Sequence, residues 1–273
     1  MRTAIICQAR TTSTRLPRKV LLPLAGKPLL LRCVERLQAS RMADVVVVAT
    51  TTDPSDDVIV ELCASSGIDV YRGHPTDLLD RHLKAARMVG ADVIVKVPSD
   101  CPLIDPHVID DVLRAFNGMR EHVDFVSNLH PPTWPDGNDV EVMTIELLER
   151  AARLAGWSYE REHTTPWMWD ANPDVRLANV VRRDGQDYSA THRWTIDYPE
   201  DYVLIKAVYD ALYTQARHFT CEEALEYLSA HPEVAGVNAH LRGVNWYRHH
   251  LDSLQTIRNE QTRSFYNHAG GQV

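Results

Sequence analysis

Thr3-Ala-Ile-Ile-Cys-Gln-Ala9 runs directly into Arg10-Thr-Thr-Ser-Thr-Arg-Leu-Pro-Arg-Lys19, and the reading of this junction decides the fold. The first run is short and largely apolar, which predicts a buried strand, and the second is a polar, basic loop. A helical pattern follows from Pro28 to about Ser40. The same alternation then repeats. Asp44-Val-Val-Val-Val-Ala-Thr50 reads as a strand, Asp56–Ser66 as a helix, Ile68–Tyr71 as a strand and Asp77–Val89 as a helix. Asp92-Val-Ile-Val-Lys-Val97 is a fourth strand, a helix runs from Pro106 to about Met119, and Val123–Ser127 is a fifth strand. Continuous Val/Ile runs alternating with helices predict an α/β fold, a mainly parallel sheet covered on both faces.

Beyond Ser127 the pattern loosens. Val140–Thr144, Val175–Val181 and Arg193–Ile196 are strand candidates, and Ile145–Ala155, Glu200–Tyr213 and Cys221–Ala230 read as helices. Residues 130–197 therefore look like a mixed α/β insertion, a lid or dimerisation lobe. His268–Val273 look like a loose end. In open α/β sheets ligands sit at the carboxyl ends of strands, which directs attention to Arg10–Lys19, Thr50–Asp53, Arg72–Gly73 and Ser99–Asp100.

The charge distribution sharpens that expectation. The 273-residue chain has a net charge of -8, yet residues 1–41 carry nine Lys/Arg against one acid, a local balance of +8. Arg10, Arg15, Arg18 and Lys19, with the hydroxyls of Thr11, Thr12, Ser13 and Thr14, suit a polyphosphate. Arg32, Arg36 and Arg41 read instead as the solvated side of a helix. The loop lacks the GxGxxG dinucleotide fingerprint, and Gly26-Lys27-Pro28 is not a P-loop. A basic RNA-binding face would carry interleaved aromatics, and this one has none, so nucleic acid is not an expected partner. No apolar run approaches the roughly 20 residues of a membrane span, and Thr3–Ala9 is too short for a signal-peptide core. Five cysteines without CxxC spacing argue against zinc or a disulfide framework and point to a reducing cytoplasm.

Two carboxylates stand out from the acidic remainder. Asp100 follows the fourth strand in Val95-Lys-Val-Pro-Ser-Asp-Cys-Pro-Leu-Ile-Asp105, and Asp197 ends Arg193-Trp-Thr-Ile-Asp197. Facing a basic loop, they suit Mg²⁺, which takes one or two protein carboxylates and keeps phosphate and water ligands. Asp105 before Pro106 reads as a helix N-cap, Glu200 and Asp201 as first-turn acids, and Cys101 as a buried structural thiol. Asp136, Asn138, Asp139 and Glu141 lie on a turn-to-strand segment where carboxylates and amides could grip ligand hydroxyls. Glu162 and His163, with Arg193, could orient an acid group or take a proton. For His163 a packed or capping role stands beside the catalytic one. Trp134, Trp157, Trp167, Trp169 and Trp194 suit a dimer interface at least as well as a sugar platform.

Placed together, these pieces resemble the cytidylyltransferases that activate acidic sugars as CMP conjugates, in particular the spore coat polysaccharide biosynthesis branch. The likeness is carried by Ala9-Arg-x4-Arg-Leu-Pro-x-Lys19, Leu24-x-Gly-Lys-Pro-Leu-Leu30, Tyr71-Arg-Gly73 and Asp77-Leu-Leu-Asp-Arg81. It continues through Ser99-Asp-Cys-Pro-Leu-Ile-Asp105, Asp124-Phe-Val-Ser-Asn128 and Pro135-Asp-Gly-Asn-Asp-Val-Glu-Val142. Arg161-Glu-His-Thr-Thr-Pro166 and Arg193-Trp-Thr-Ile-Asp-Tyr-Pro-Glu-Asp201 complete it. Lys96, where the branch usually has Arg, and Ser99, where the wider family has Gly, depart from the pattern.

The resemblance implies a Rossmann-like nucleotidyltransferase fold over 1–245, with an inserted lobe at about 130–197, and a C-terminal helical extension and tail over 246–273. It implies CTP on Ala9, Arg10, Ser13, Arg15, Lys19, Arg72, Ser99 and Asp100, and Mg²⁺ on Asp100 and Asp197. Arg10, Arg15, Lys19 and Asp100 form the expected catalytic set. Asp136, Asn138, Asp139, Glu141, Glu162, His163 and Arg193 form the expected acceptor set, for a sugar acid or related sugar. It also implies a homodimer in which part of 130–170 reaches the partner's site. Rival readings are transfer to a phosphorylated or phosphonate acceptor, a GT-A-like glycosyltransferase and a catalytically silent nucleotide-binding protein.

Overall fold

The computed structural model describes residues 1–214 and 217–263. The opening apolar run is β1 (Thr3–Gln8), followed by a small hairpin of β2 (Pro23–Leu24) and β3 (Lys27–Pro28) and by α1 (Leu29–Gln38). Next come β4 (Val45–Thr51), α2 (Asp57–Ser65), β5 (Asp69–Gly73), α3 (Leu78–Met88), β6 (Val93–Pro98), α4 (Pro106–Met119) and β7 (Phe125–Ser127). The second half adds β8 (Glu141–Thr144), α5 (Ile145–Leu154), α6 (Ser158–His163), α7 (Pro166–Trp169) and β9 (Leu177–Asn179). It closes with α8 (Pro199–Leu212), α9 (Cys221–Ala230) and α10 (Pro232–Ala235).

The main sheet has the order β5-β4-β1-β6-β8-β7-β9. Neighbouring strands from β5 to β6 pair in parallel, whereas β8 runs antiparallel to both β6 and β7. Burial on both faces explains the continuous apolar runs. In β1, Ile5 and Cys7 pack into the core under α1, α2, α4, α8 and α9, while Ala4 and Ile6 pack into the core under α3, α5 and α7. The chain first builds outward from β1 through β4 to β5 and then returns to place β6 on the other flank. That reversal opens a crevice at the carboxyl ends of β1 and β6. The Ser99 N–H donates to Gln8 O across it at 3.3 Å.

The strand expected at Arg193–Ile196 is not one. The segment is held by a single bridge between Asp136 and Arg193, and Trp194 N–H donates to Asp136 O at 2.6 Å. The inserted segment does not stand apart, because β8 and β9 join the main sheet. Arg32 and Arg36 correct the expectation of a solvated helix side. Both are buried; Arg36 Nε donates to Ile104 O at 2.6 Å and its Nη2 to Phe219 O at 2.7 Å, tying α1 to the layer around it. Their stems are long enough to reach carbonyls beneath the helix, which helical periodicity cannot register. The expected helical extension after 245 takes the form, over its described residues, of 3-10 turns at Trp246–His249 and Asn259–Gln261. The expected loose end His268–Val273 lies outside the described residues. Among those described, no helix is long and apolar enough to cross a membrane.

Candidate active site

The basic loop is shaped by Asp56, a residue whose spacing had suggested only a helix start. Its fully buried carboxylate accepts from Thr11 N and Thr11 Oγ1, both at 2.7 Å, and from the Thr51 hydroxyl. The loop is thereby fastened to the end of β4, and Arg18, at φ +58, turns it back toward the sheet. Lys19 then begins a 3-10 turn and points inward.

Lys19 Nζ lies 2.8 Å from Asp100 Oδ2, 3.0 Å from Asp197 Oδ1 and 2.6 Å from Ile196 O. Arg15 Nη2 reaches the same Asp197 oxygen at 2.6 Å. The two carboxylates, 97 positions apart in sequence, are aligned by a backbone bond: Ile196 N–H donates to Asp100 O at 2.8 Å. Burial opposes ionisation of Asp197, but Lys19 and Arg15 outweigh it and hold the carboxyl well below its usual range. Burial also opposes the charge on Lys19, and Asp100 and Asp197 outweigh that in turn, raising the ammonium pKa.

A cleft of about 490 Å³ opens above this cluster, lined by Ala9, Arg10, Ser13, Arg15, Lys19, Ser99 and Asp100. Arg10 is exposed and has no ion-pair partner among the described residues, so its guanidinium is available to an anion. Arg81 also faces the cleft although it is 3% exposed, and burial followed by the Arg10 charge lowers its pKa to about 10. Sequence reading passed over it as a helix residue; its place in Asp77-Leu-Leu-Asp-Arg81 was the available signal. Arg72 is not brought into the cleft. It donates to Thr51 O and Asp53 O and pairs with Asp57 at 2.7 Å, so it braces the end of β4.

A second cavity of about 640 Å³ meets the first at Arg15, Asp100, His163 and Asp197. Asp136, Asn138, Asp139, Glu141 and Arg193 line it. Gly137 makes the turn between the two aspartates possible. Its φ is +112, and a Cβ there would stand 2.7 Å from the Trp194 carbonyl carbon. Burial, and then the charge on Asp139, push the Asp136 carboxyl up to about 8; burial pushes Asp139 to about 6. Glu141 accepts from Thr165 Oγ1 at 2.6 Å and pairs with Lys96.

Arg193 is present but not available. Nε and Nη2 bind the buried Asp201 at 3.0 and 3.2 Å, Nη2 also reaches Asp197 at 3.3 Å, and Nη1 donates to Val244 O at 2.7 Å and faces Asp136 at 3.4 Å. Its guanidinium is thus shared among Asp136, Asp197, Asp201 and the Val244 carbonyl. Asp201 in turn accepts from the N–H groups of Asp197 and Tyr198 at 2.9 and 3.0 Å, fixing Asp197 from behind. His163 stacks on Trp246 with centroids 3.8 Å apart, and burial followed by the Lys96 charge drops its pKa to about 3. The stacked ring is thereby favoured in its neutral form. Glu162 is exposed and lines the first cleft, not the second. Cys101 is buried, and its thiol pKa is pushed well up by burial, as befits a structural residue. Trp134, Trp169 and Trp194 are buried; Trp157, 65% exposed, remains on the surface.

A mainly parallel sheet with cations and paired carboxylates at its switch point fits a nucleotidyltransferase-type fold. The chain belongs to the cytidylyltransferase family, whose model matches residues 4–235. It is 30% identical to the spore coat polysaccharide biosynthesis protein SpsF of Bacillus subtilis, over 84% of this chain and 95% of that one. A solved cytidylyltransferase from Leptospira borgpetersenii superposes with a TM-score of 0.81 at 32% identity, covering 86% of this chain and 97% of that one. CMP:2-keto-3-deoxy-manno-octonic acid synthetase, solved with CTP, shares the fold at a TM-score of 0.55 and 18% identity, covering 76% and 98%. Gly243–Tyr247 and Glu260–Arg263, which help line the second cavity, lie outside the matched region.

Proposed function

We propose that the protein transfers CMP from CTP to a hydroxyl of a sugar-type acceptor, a sugar acid or related sugar, releasing pyrophosphate. The observation that carries this reading is the meeting of the two cavities at Arg15, Asp100 and Asp197 in a cytidylyltransferase-family chain. The basic cleft suits the triphosphate, the larger cavity suits the acceptor, and the α-phosphorus would lie where they join.

The acceptor oxygen attacks the α-phosphorus, its proton leaves to solvent or a carboxylate, and the bond to the β-phosphate oxygen breaks. Arg10, Arg15 and Lys19 face the charge that develops on pyrophosphate, a preorganised electrostatic contribution. Asp201 and Arg193 keep Asp197 aligned for it. Asp100 and Asp197 would hold Mg²⁺: both are hard oxygen donors, and both already converge on one cation, the Lys19 ammonium. No group of three or more ligating side chains is arranged for a metal among the described residues; Mg²⁺ usually takes only one or two protein carboxylates and completes its shell with phosphate and water. When bound, the ion would offset phosphate charge.

The same reading includes one nucleotidyltransferase unit over 1–245 and a homodimer contacting through part of 130–170. Five buried free cysteines support a reducing compartment. The test is pyrophosphate release with each nucleoside triphosphate against sugar acids, sugars and sugar phosphates, with and without Mg²⁺. Turnover with CTP and Mg²⁺ supports the reading; turnover with ATP or GTP but not CTP overturns it.

A further inference from the structure

The second cavity has a wall that the family match does not include. Residues 243–247 and 260–263 line it, beyond the matched region 4–235. This wall is firmly docked. Leu254 and Ile257 are buried, and Asp170 accepts from the backbone N–H groups of Gln255 and Thr256 at 3.0 and 2.8 Å. Arg193 Nη1 donates to Val244 O at 2.7 Å while its Nη2 reaches Asp197 at 3.3 Å. The wall is thereby tied to a carboxylate at the place where the two cavities meet.

The wall also carries the cavity's uncommitted cation. Among the described residues, seven acidic and four basic side chains line the cavity. Lys96 is paired with Glu141, Arg15 with Asp197, and Arg193 with Asp136, Asp197 and Asp201. The fourth, Arg263, is exposed and has no ion-pair partner among the described residues. Its position is nevertheless set. The Arg263 N–H donates to Gly243 O at 2.9 Å, and the stem lies over Gly243, where a Cβ would stand 3.4 Å from Arg263 Cγ. Elsewhere the lining is acidic, with Asp136, Asp139 and Glu141. A ligand carboxylate set against those acids would be repelled, whereas a ligand hydroxyl can donate to them. Trp246, of the same wall, is stacked on His163 at 3.8 Å and offers a ring face for the C–H side of a sugar.

From the engaged Lys96, Arg15 and Arg193 and the unpaired guanidinium on this wall, we infer that Arg263 is a specificity-determining residue that receives the acceptor's carboxylate. The planar guanidinium presents parallel N–H donors that match both oxygens of a carboxylate. This inference rests on the cytidylyltransferase reading with a sugar acid as acceptor, and it assigns selection of the acid to a segment outside the family match.

The test uses a panel of keto-sugar acids and uronic acids, each beside its neutral primary amide. Binding is measured by NMR titration on wild type, Arg263→Gln and Arg263→Lys, with and without a CTP analogue whose α,β-bridge is methylene. Affinity for the analogue alone is measured by calorimetry. The expected result is that at least one acid binds wild type about 10-fold more tightly than its amide. Arg263→Gln should bring that ratio toward one, Arg263→Lys should restore part of it, and neither should change affinity for the analogue. The inference is overturned if no acid outranks its amide at about 10 mM, roughly the weak end of specific recognition. It is equally overturned if Arg263→Gln alters the ratio by less than about 3-fold, or weakens the analogue as much as the acid. Should the analogue and CTP fail to bind while acids still depend on Arg263, the cytidylyl reading falls and the assignment of Arg263 stands.

Discussion

Lys19→Met is the most informative single change, because it removes the cation shared by Asp100 and Asp197 without shortening the side chain much. The Lys19 side chain is 11% exposed, and its Nζ lies 2.8 and 3.0 Å from the two carboxylates. At an effective dielectric of about 20, each pair corresponds to roughly 6 kcal/mol of Coulomb attraction before desolvation is subtracted. Breaking such a buried pair costs about 3–5 kcal/mol, and because the Asp100 side chain is 26% exposed the low end applies, about 3 kcal/mol. For a chain of this size that lowers Tm by roughly 6–12 °C. The pH dependence has a definite sign. The lowered Asp197 pKa contributes stability above its ordinary value near ~3.9, lost as pH falls through the folded value, so the difference between wild type and variant should be flat from pH 5 to 8. Calorimetry of wild type, Lys19→Met, Asp197→Asn and the double variant measures the coupling. Mg²⁺ should raise the Tm of Lys19→Met more than that of wild type, since the substitution leaves Asp100 without its cation and Asp197 with only Arg15 and Arg193. Pyrophosphate release should fall by about 10²-fold or more. A variant melting within 2 °C of wild type (roughly 0.5–1 kcal/mol), or strict additivity with Asp197→Asn, would refute the reasoning.

Four further outcomes are expected. Gly137→Ala forces a Cβ against the Trp194 backbone at φ +112, and should lower Tm and weaken acceptor KM more than CTP affinity; an unchanged melt would contradict the close approach. Arg193→Lys loses the planar fork on Asp201 and should cost about 3 kcal/mol, read by urea denaturation. His82, fully buried with a pKa lowered to about 3, first by burial, makes the fold less stable as pH falls below ~6.5, by up to roughly 1.4 kcal/mol per pH unit; His82→Gln should flatten that slope in Tm-versus-pH measurements. Chelation with EDTA should abolish pyrophosphate release and leave Tm near its starting value, because Lys19 already occupies the space between the carboxylates.

The legibility of the site follows from how local each signal is. Helix α4 and its Asp105 cap were readable because the carboxylate bonds the N–H of His107, two residues on, at 2.8 Å. The junction of β1 with the basic loop was readable for the same reason: strand, loop and charge are contiguous. The partners of Arg36, Arg72, Arg81 and Arg193 were not readable because an arginine's partners are chosen at the end of a long side chain. Whether those partners are carbonyls of another layer, as for Arg36, or ligand-facing space, as for Arg81, depends on residues far away in sequence. The segment Trp246–Arg263 carried no recognisable motif, and it became part of the second cavity's wall only through packing. Asp170, for instance, accepts from the backbone of Gln255 and Thr256 at 3.0 and 2.8 Å.

The sequence by itself determined that strands alternate with helices, that a cationic loop follows the first strand, and that the chain resembles cytidylyltransferases. These are properties of contiguous runs, written in periodicity and composition. Only the tertiary structure decided that the cations and carboxylates meet as ion pairs, that Arg193 is fully engaged, and that the second cavity has more acidic than basic side chains in its lining. Those facts depend on which distant side chains share a cavity and which hydrogen-bond donors remain after packing, and both are settled by three-dimensional proximity.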